Sequence, residues 1–193
     1  MWPRTFAAPR MSTTAPALSA ACTGWAATAR YDVHLEDGAT VLRPQDRERG
    51  TYRIRARGAG ARVELTETEP DSDIEEPILF AAEIAVLERY VFGILGDDIR
   101  DDLALDELRL PWTTKDVAPG YVLSGMDRGW RTLSQRGSGP VAASRDETLS
   151  LVRLVPLSQF LTLTVDEVKR SFLHEAGRPL LVDGRYRSAG GGG

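Results

Sequence analysis

Cysteine is nearly absent from this sequence: Cys22 is the only one in 193 residues. No intrachain disulfide can form, which fits a reducing compartment. Histidine is almost as scarce, with His34 and His174 far apart in the chain. One cysteine and two histidines at no recognisable spacing make no zinc site unless carboxylates complete it, and no such arrangement is visible. Lysine is rare too, two residues against 22 arginines, a bias we read chiefly as codon usage in a GC-rich genome. No run nears the ~18 apolar residues of a membrane span. Residues 12–21 are Thr, Ser, Pro and Ala with Leu18 as the one strong hydrophobe, so the compact apolar run of an export signal is missing.

Catalytic patterns are missing as well. Gly-x-Ser-x-Gly does not occur. Gly137-Ser138-Gly139-Pro140 reads as a turn. Gly58-Ala59-Gly60 lacks a third glycine and opens no helix, so it is a hairpin turn and not a phosphate cradle. His34 falls on the polar face of a strand and His174 near a helix end, and both read as surface residues. Carboxylates are plentiful but gather in solvated segments, where their pKa values stay ordinary. A two-acid mechanism would need a pair facing one cleft. No catalytic residue, metal ligand or cofactor is assigned, and the chain is expected to act by binding another macromolecule.

What is present fits one domain with a sizeable core. The hydrophobic fraction is 42% and the net charge −4, a balance that argues against nucleic acid as the partner. Residues 1–15 are expected to be a disordered extension, 16–186 a single α+β domain, and 187–193 a flexible Gly-rich tail. A first helix is expected over 17–29 from its Ala content and the spacing of Leu18, Cys22 and Trp25. The period then drops to 2. Tyr31, Val33 and Leu35 alternate with polar residues up to Asp37-Gly38, and three more alternating runs reach Thr66, predicting a four-stranded meander. Residues 67–77 read as a loop. The apolar run 78–95 reads as a long central helix entered at Pro77 and capped by Gly96. Three further strands are expected near 121–124, 130–134 and 141–143. Residues 149–161, interrupted by Pro156, fit strand or helix. Thr164 and Glu167 form a capping box for a C-terminal helix. Antiparallel sheets with an N-terminal, a long central and a C-terminal helix make the fold class α+β.

Two charge features stand out. Glu64, Glu67, Glu69, Asp71, Asp73, Glu75 and Glu76 fall within thirteen residues without a base, and Asp97, Asp98, Asp101, Asp102, Asp106 and Glu107 form a second cluster, relieved by Arg100. Such a surface either is merely solvated or steers onto a basic partner. The candidate contacts are Glu67, Glu69, Asp71, Ser72 and Asp73, with Asp97 and Asp98 as a second patch. On the basic side, Arg53, Arg55 and Arg57 alternate and share a strand face. They could bind RNA or phosphate, although no aromatic interleaves them there. Salt bridges to Glu64 and its neighbours are the simpler account.

The run Leu87-Glu88-Arg89-Tyr90-x-x-Gly93-x-x-Gly96-x-x-Ile99-Arg100 introduces a likeness. With Leu110-Pro111, Ala118-Pro119-Gly120-Tyr121, and the ending Thr164-Val165-Asp166-Glu167-x-x-x-Ser171-Phe172-Leu173-x-x-x-Gly177-Arg178-Pro179-Leu180, it resembles the immunity-factor (antitoxin) family of the tuberculosis necrotizing toxin type. The likeness covers roughly residues 18–182. It implies a cytosolic actinobacterial protein that binds the C-terminal toxin domain of a secreted effector, an NAD-glycohydrolase, and blocks its NAD site. It also implies a contact loop before the long helix, which here is the acidic stretch from Glu67 to Glu76.

Overall fold

The computed structural model describes residues 14–58 and 61–187. The expected extension and tail lie outside them but for residues 14, 15 and 187. The first helix, α1 (Ala20–Thr28), is shorter than its composition predicts because Ser19 caps it, its Oγ accepting from the Cys22 N–H at 3.2 Å. Glu88 in turn holds Ser19, accepting from both its backbone N–H and its hydroxyl. Burial, then the Glu88 charge, push the Cys22 thiol up to about 12, so it stays a neutral, inert packing group.

The predicted meander is present as β1 (Tyr31–Glu36), β2 (Ala39–Pro44), β3 (Thr51–Ala56) and β4 (Val63–Thr68). Asp37 and Gly38 both have positive φ, the backbone that a two-residue hairpin turn demands. Leu42, Ile54 and Leu65 face the core and are fully buried. Each such side chain contributes about 1.5–3 kcal/mol by leaving water.

The expected entry to the long helix is wrong. Residues 75–81 form a fifth strand, β5 (Glu75–Ala81), antiparallel to β4, and the helix α2 (Ile84–Asp102) starts after it. A short apolar run bounded by proline does not distinguish a buried strand from a helix. Here Pro77 lies opposite Thr66 at a register shift between the two strands, with Ile78 as the extra residue of β5. It is outside the stretch where β5 pairs with its other neighbour, so its missing N–H breaks no ladder bond there. The expected loop thus becomes a hairpin with its tip at residues 69–74.

The next three strands form close to expectation as β6 (Tyr121–Leu123), β7 (Trp130–Gln135) and β8 (Gly139–Arg145). Together they complete one antiparallel eight-stranded sheet of order β1-β2-β3-β4-β5-β8-β7-β6. Residues 149–161 resolve as a helix, α3 (Leu149–Phe160), with Pro156 inside it. The capping box opens α4 (Val165–Leu173) as predicted, Thr164 Oγ accepting from the Glu167 N–H at 3.2 Å. A small hairpin, β9 (Leu181–Val182) with β10 (Arg185–Tyr186), follows; two-residue strands leave no alternation to read.

Gly96 does not cap α2; it sits within it. A Cβ there would fall 2.4 Å from Cγ of Phe172, and one on Gly93 would fall 2.6 Å from Cε2 of Phe160. The two glycines, one turn apart on α2, form a notch into which α3 and α4 each set a phenyl ring. The rings meet edge to face at 5.8 Å. Arg100, 1% exposed, locks the far end of the helix. Its guanidinium donates only to backbone carbonyls: those of Asp106, Phe172, His174 and Glu175.

Candidate functional site

The two acidic segments, thirty residues apart in sequence, come to one side of the molecule. Glu67 lies near the end of β4 directly opposite Tyr52 of β3, whose nearby hydroxyl favours the charged carboxylate. Gly50 makes room for that carboxylate, since a Cβ there would lie 2.6 Å from Oε1. Burial outweighs the tyrosine's effect and holds the Glu67 carboxyl above its ordinary range, and the nearby charges of Glu69 and Asp98 act in the same direction. Asp98, on α2, accepts from the Tyr31 hydroxyl at 2.9 Å, and the rings of Tyr31 and Tyr52 lie 6.0 Å apart. A tyrosine pair therefore joins the acid of the hairpin arm to the acid of the helix.

The chain makes its own use of part of this charge. Arg49, with only a tenth of its side chain exposed, lies 2.9 Å from Asp102, 3.4 Å from Asp101 and 3.6 Å from Asp98. Arg30 adds a contact to Asp102 at 3.4 Å. Asp98 is thereby engaged inside the molecule. Asp97, one residue before, is not in an ion pair among the described residues and faces solvent on one side. Protein walls its other side. That walling, then the Glu107 and Asp98 charges, push its carboxyl up to about 7.

Glu69, Asp71 and Asp73 sit fully in the open at the hairpin tip, with Ser72 half-buried among them. The tip is shaped by short-range chemistry. Asp71 has φ +59°, a left-handed backbone that aspartate tolerates better than most residues. The Ser72 N–H donates to the Glu69 carbonyl at 3.2 Å, and Ser72 Oγ accepts from the Ile74 N–H at 3.1 Å. Behind the tip, Glu75 is held by Arg55 and Thr66, and the arginine pulls its carboxyl below its ordinary range. Ile74, 67% exposed, is the apolar residue of an otherwise polar tip. Its isolation in the sequence was the available signal for it.

The arginine row lies on the other face of the sheet and is internally paired. Arg53 contacts Glu36, Arg55 contacts Glu75, and Arg57 contacts Glu64. The bridge from Arg57 to Glu64 is the one expected from the alternation, whereas Arg53 reaches across to Glu36 of β1. His34 lies on β1, and His174 caps the end of α4, its Nδ1 accepting from the Ala176 N–H at 3.0 Å. Among the described residues no group of three or more His, Cys, Asp or Glu is placed to hold a metal ion, and no single helix is long and apolar enough to cross a membrane.

Residues 25–180 match the model of the family Immunity protein 61. Over 105 residues the chain is 32% identical to the Immunity factor for TNT of Mycobacterium tuberculosis (strain ATCC 25618 / H37Rv). It is equally similar to the Immunity factor for TNT homolog of Mycobacterium bovis (strain BCG / Pasteur 1173P2). The alignment covers 53% of this chain and 57% of either relative, so the chain spans little more than half the length of these curated relatives. The solved structure of Rv3902c from M. tuberculosis is similar with a TM-score of 0.71 and 27% identity, over 84% of this chain and 92% of that one. The motif residues behind the likeness have structural tasks here: Glu88 holds α1, Gly93 and Gly96 seat α3 and α4, and Arg100 ties α2 to the end of α4. The chain belongs to the Immunity protein 61 family.

Proposed function

We propose that this protein is an immunity protein that binds a cognate toxin domain of the TNT type and inhibits it by covering its active site. The observation that carries the reading is the acidic hairpin tip, ordered by its own hydrogen bonds and exposed, on an arm whose Glu67 feels the charge of Asp98 on α2. Family membership supports the immunity role, and the likeness to the Immunity factor for TNT of M. tuberculosis supports the class of toxin. Inhibition needs no chemistry from the inhibitor, only a surface that fits and holds. The contact residues are Glu69, Asp71, Ser72 and Asp73 at the tip and Glu67 and Asp97 on the adjoining face. Asp98 acts from behind, holding Tyr31 and Arg49. An NAD-glycohydrolase is the toxin chemistry we expect, following the resemblance.

A direct test uses the toxin domain encoded beside this chain. Co-expression should relieve its toxicity, the two should co-purify, and equimolar addition should stop NAD cleavage. A toxin that stays free and lethal in the presence of this protein would refute the reading. Glu69→Lys and Asp73→Lys should slow association about tenfold or more at low salt and flatten its salt dependence. Association rates unchanged by both would remove the hairpin from the interface.

A further inference from the structure

The acidic face runs into an apolar groove. Tyr90 and Ile94 of α2 form one wall, Leu110 and Trp112 another, and Val152 and Pro156 of α3 a third, around about 490 Å³. Trp112 is 45% exposed and Val152 43%. Leu149, one turn earlier on the same stripe of α3, is also open. A tryptophan beside branched aliphatics is what the centre of an interface uses.

The rim of this groove is acidic. Asp97 and Glu107 line it and also line the neighbouring depression that holds Asp98 and Asp101. Neither Asp97 nor Glu107 is in an ion pair among the described residues, and Arg109 on the same wall pairs with neither. Asp97, one of the proposed toxin contacts, thus lines the groove itself. The groove is therefore continuous with the proposed toxin-binding face.

We infer that this groove is the energetic centre of the toxin interface: it takes an apolar side chain of the partner whose neighbouring lysine or arginine lies between Asp97 and Glu107. The inference rests on the immunity reading above. It assigns the hairpin to steering and the groove to retention, since charge at a rim acts mainly on association and a desolvated anchor mainly on dissociation.

Association and dissociation of the full chain with the purified neighbouring toxin domain, followed by biolayer interferometry, separate the two. Trp112→Ala should dissociate about 30-fold faster or more, the loss typical of a central aromatic, while Trp112→Phe recovers most of it. Val152→Arg, at an exposed position, should weaken binding to a similar degree. Asp97→Asn with Glu107→Gln should dissociate roughly tenfold faster. Wild-type rates in Trp112→Ala and Val152→Arg would overturn the groove and leave the immunity reading standing. Absence of binding by the wild-type chain would overturn both. Self-association of the wild type that Trp112→Ala abolishes would assign the groove to a second copy of this chain and overturn the inference.

Discussion

Replacing Gly96 with alanine places one methyl group where the structure has no space. The new Cβ would lie 2.4, 2.7 and 2.8 Å from three carbons of the Phe172 ring. Carbon atoms pack at about 3.5–4.0 Å, so the ring must retreat by roughly 1 Å. Its retreat is resisted: Phe172 is fully buried and its edge meets Phe160, which is itself set against Gly93. Overpacking of this kind costs about 1–3 kcal/mol, and so tight a contact belongs at the upper end. Alanine recovers about 1 kcal/mol of helix propensity. The expected net loss is about 2 kcal/mol, or a melting temperature lower by about 4–8 °C for a chain of this size. Gly24 supplies the control. It too lies inside a helix, but nothing stands within 4 Å of its would-be Cβ, so Gly24→Ala should raise stability by about 0.5–1 kcal/mol. The same substitution thus has opposite signs at two helical glycines. Urea denaturation of both variants, with Gly96→Ala/Phe172→Leu as a double-mutant cycle, measures this. The cycle should show the second change relieving the first. If Gly96→Ala proves as stable as the parent, the notch does not govern how α4 docks.

Other expectations concern charge. Arg100→Met leaves four buried or half-buried carbonyls without their donor, and should lower stability by about 3–5 kcal/mol in denaturant titration. A loss below 1 kcal/mol would mean water replaces the guanidinium. Asp97 carries a raised carboxyl, so the folded state binds its proton more tightly than the unfolded chain. Its contribution to stability is then fully present below about 4 and is lost as pH rises toward about 7. Asp97→Asn should remove that decline, leaving the variant the more stable at pH 8 relative to pH 4; parallel stability curves would contradict it.

Local chemistry made much of this fold legible from sequence. Asp37-Gly38 between alternating runs gave the meander, and Thr164 with Glu167 gave the start of α4, because each signal acts over four residues or fewer. What failed was non-local. Residues 78–81 read as helix because the extra residue Ile78 is buried together with Leu79 and breaks the alternation, and the proline that looked like a helix start is tolerated beside that bulge. Gly96 looked like a cap because its true partner, Phe172, lies 76 residues away. In the candidate site the acidity of the hairpin was visible, but not that Arg49 would claim Asp98, nor that Tyr52 would lie beside Glu67. The groove was invisible for the same reason: Tyr90, Trp112 and Val152 meet only once three segments are packed.

Arg100 grips main chain alone. A guanidinium that binds carbonyl oxygens is indifferent to the side chains those residues carry, so Asp106 and Glu175 could each be exchanged without loosening the joint. This rim, beside Glu107, could then be rewritten residue by residue while the frame that presents it is kept. A fastening that reads no side chain lets the surface beside it drift while the architecture stays fixed.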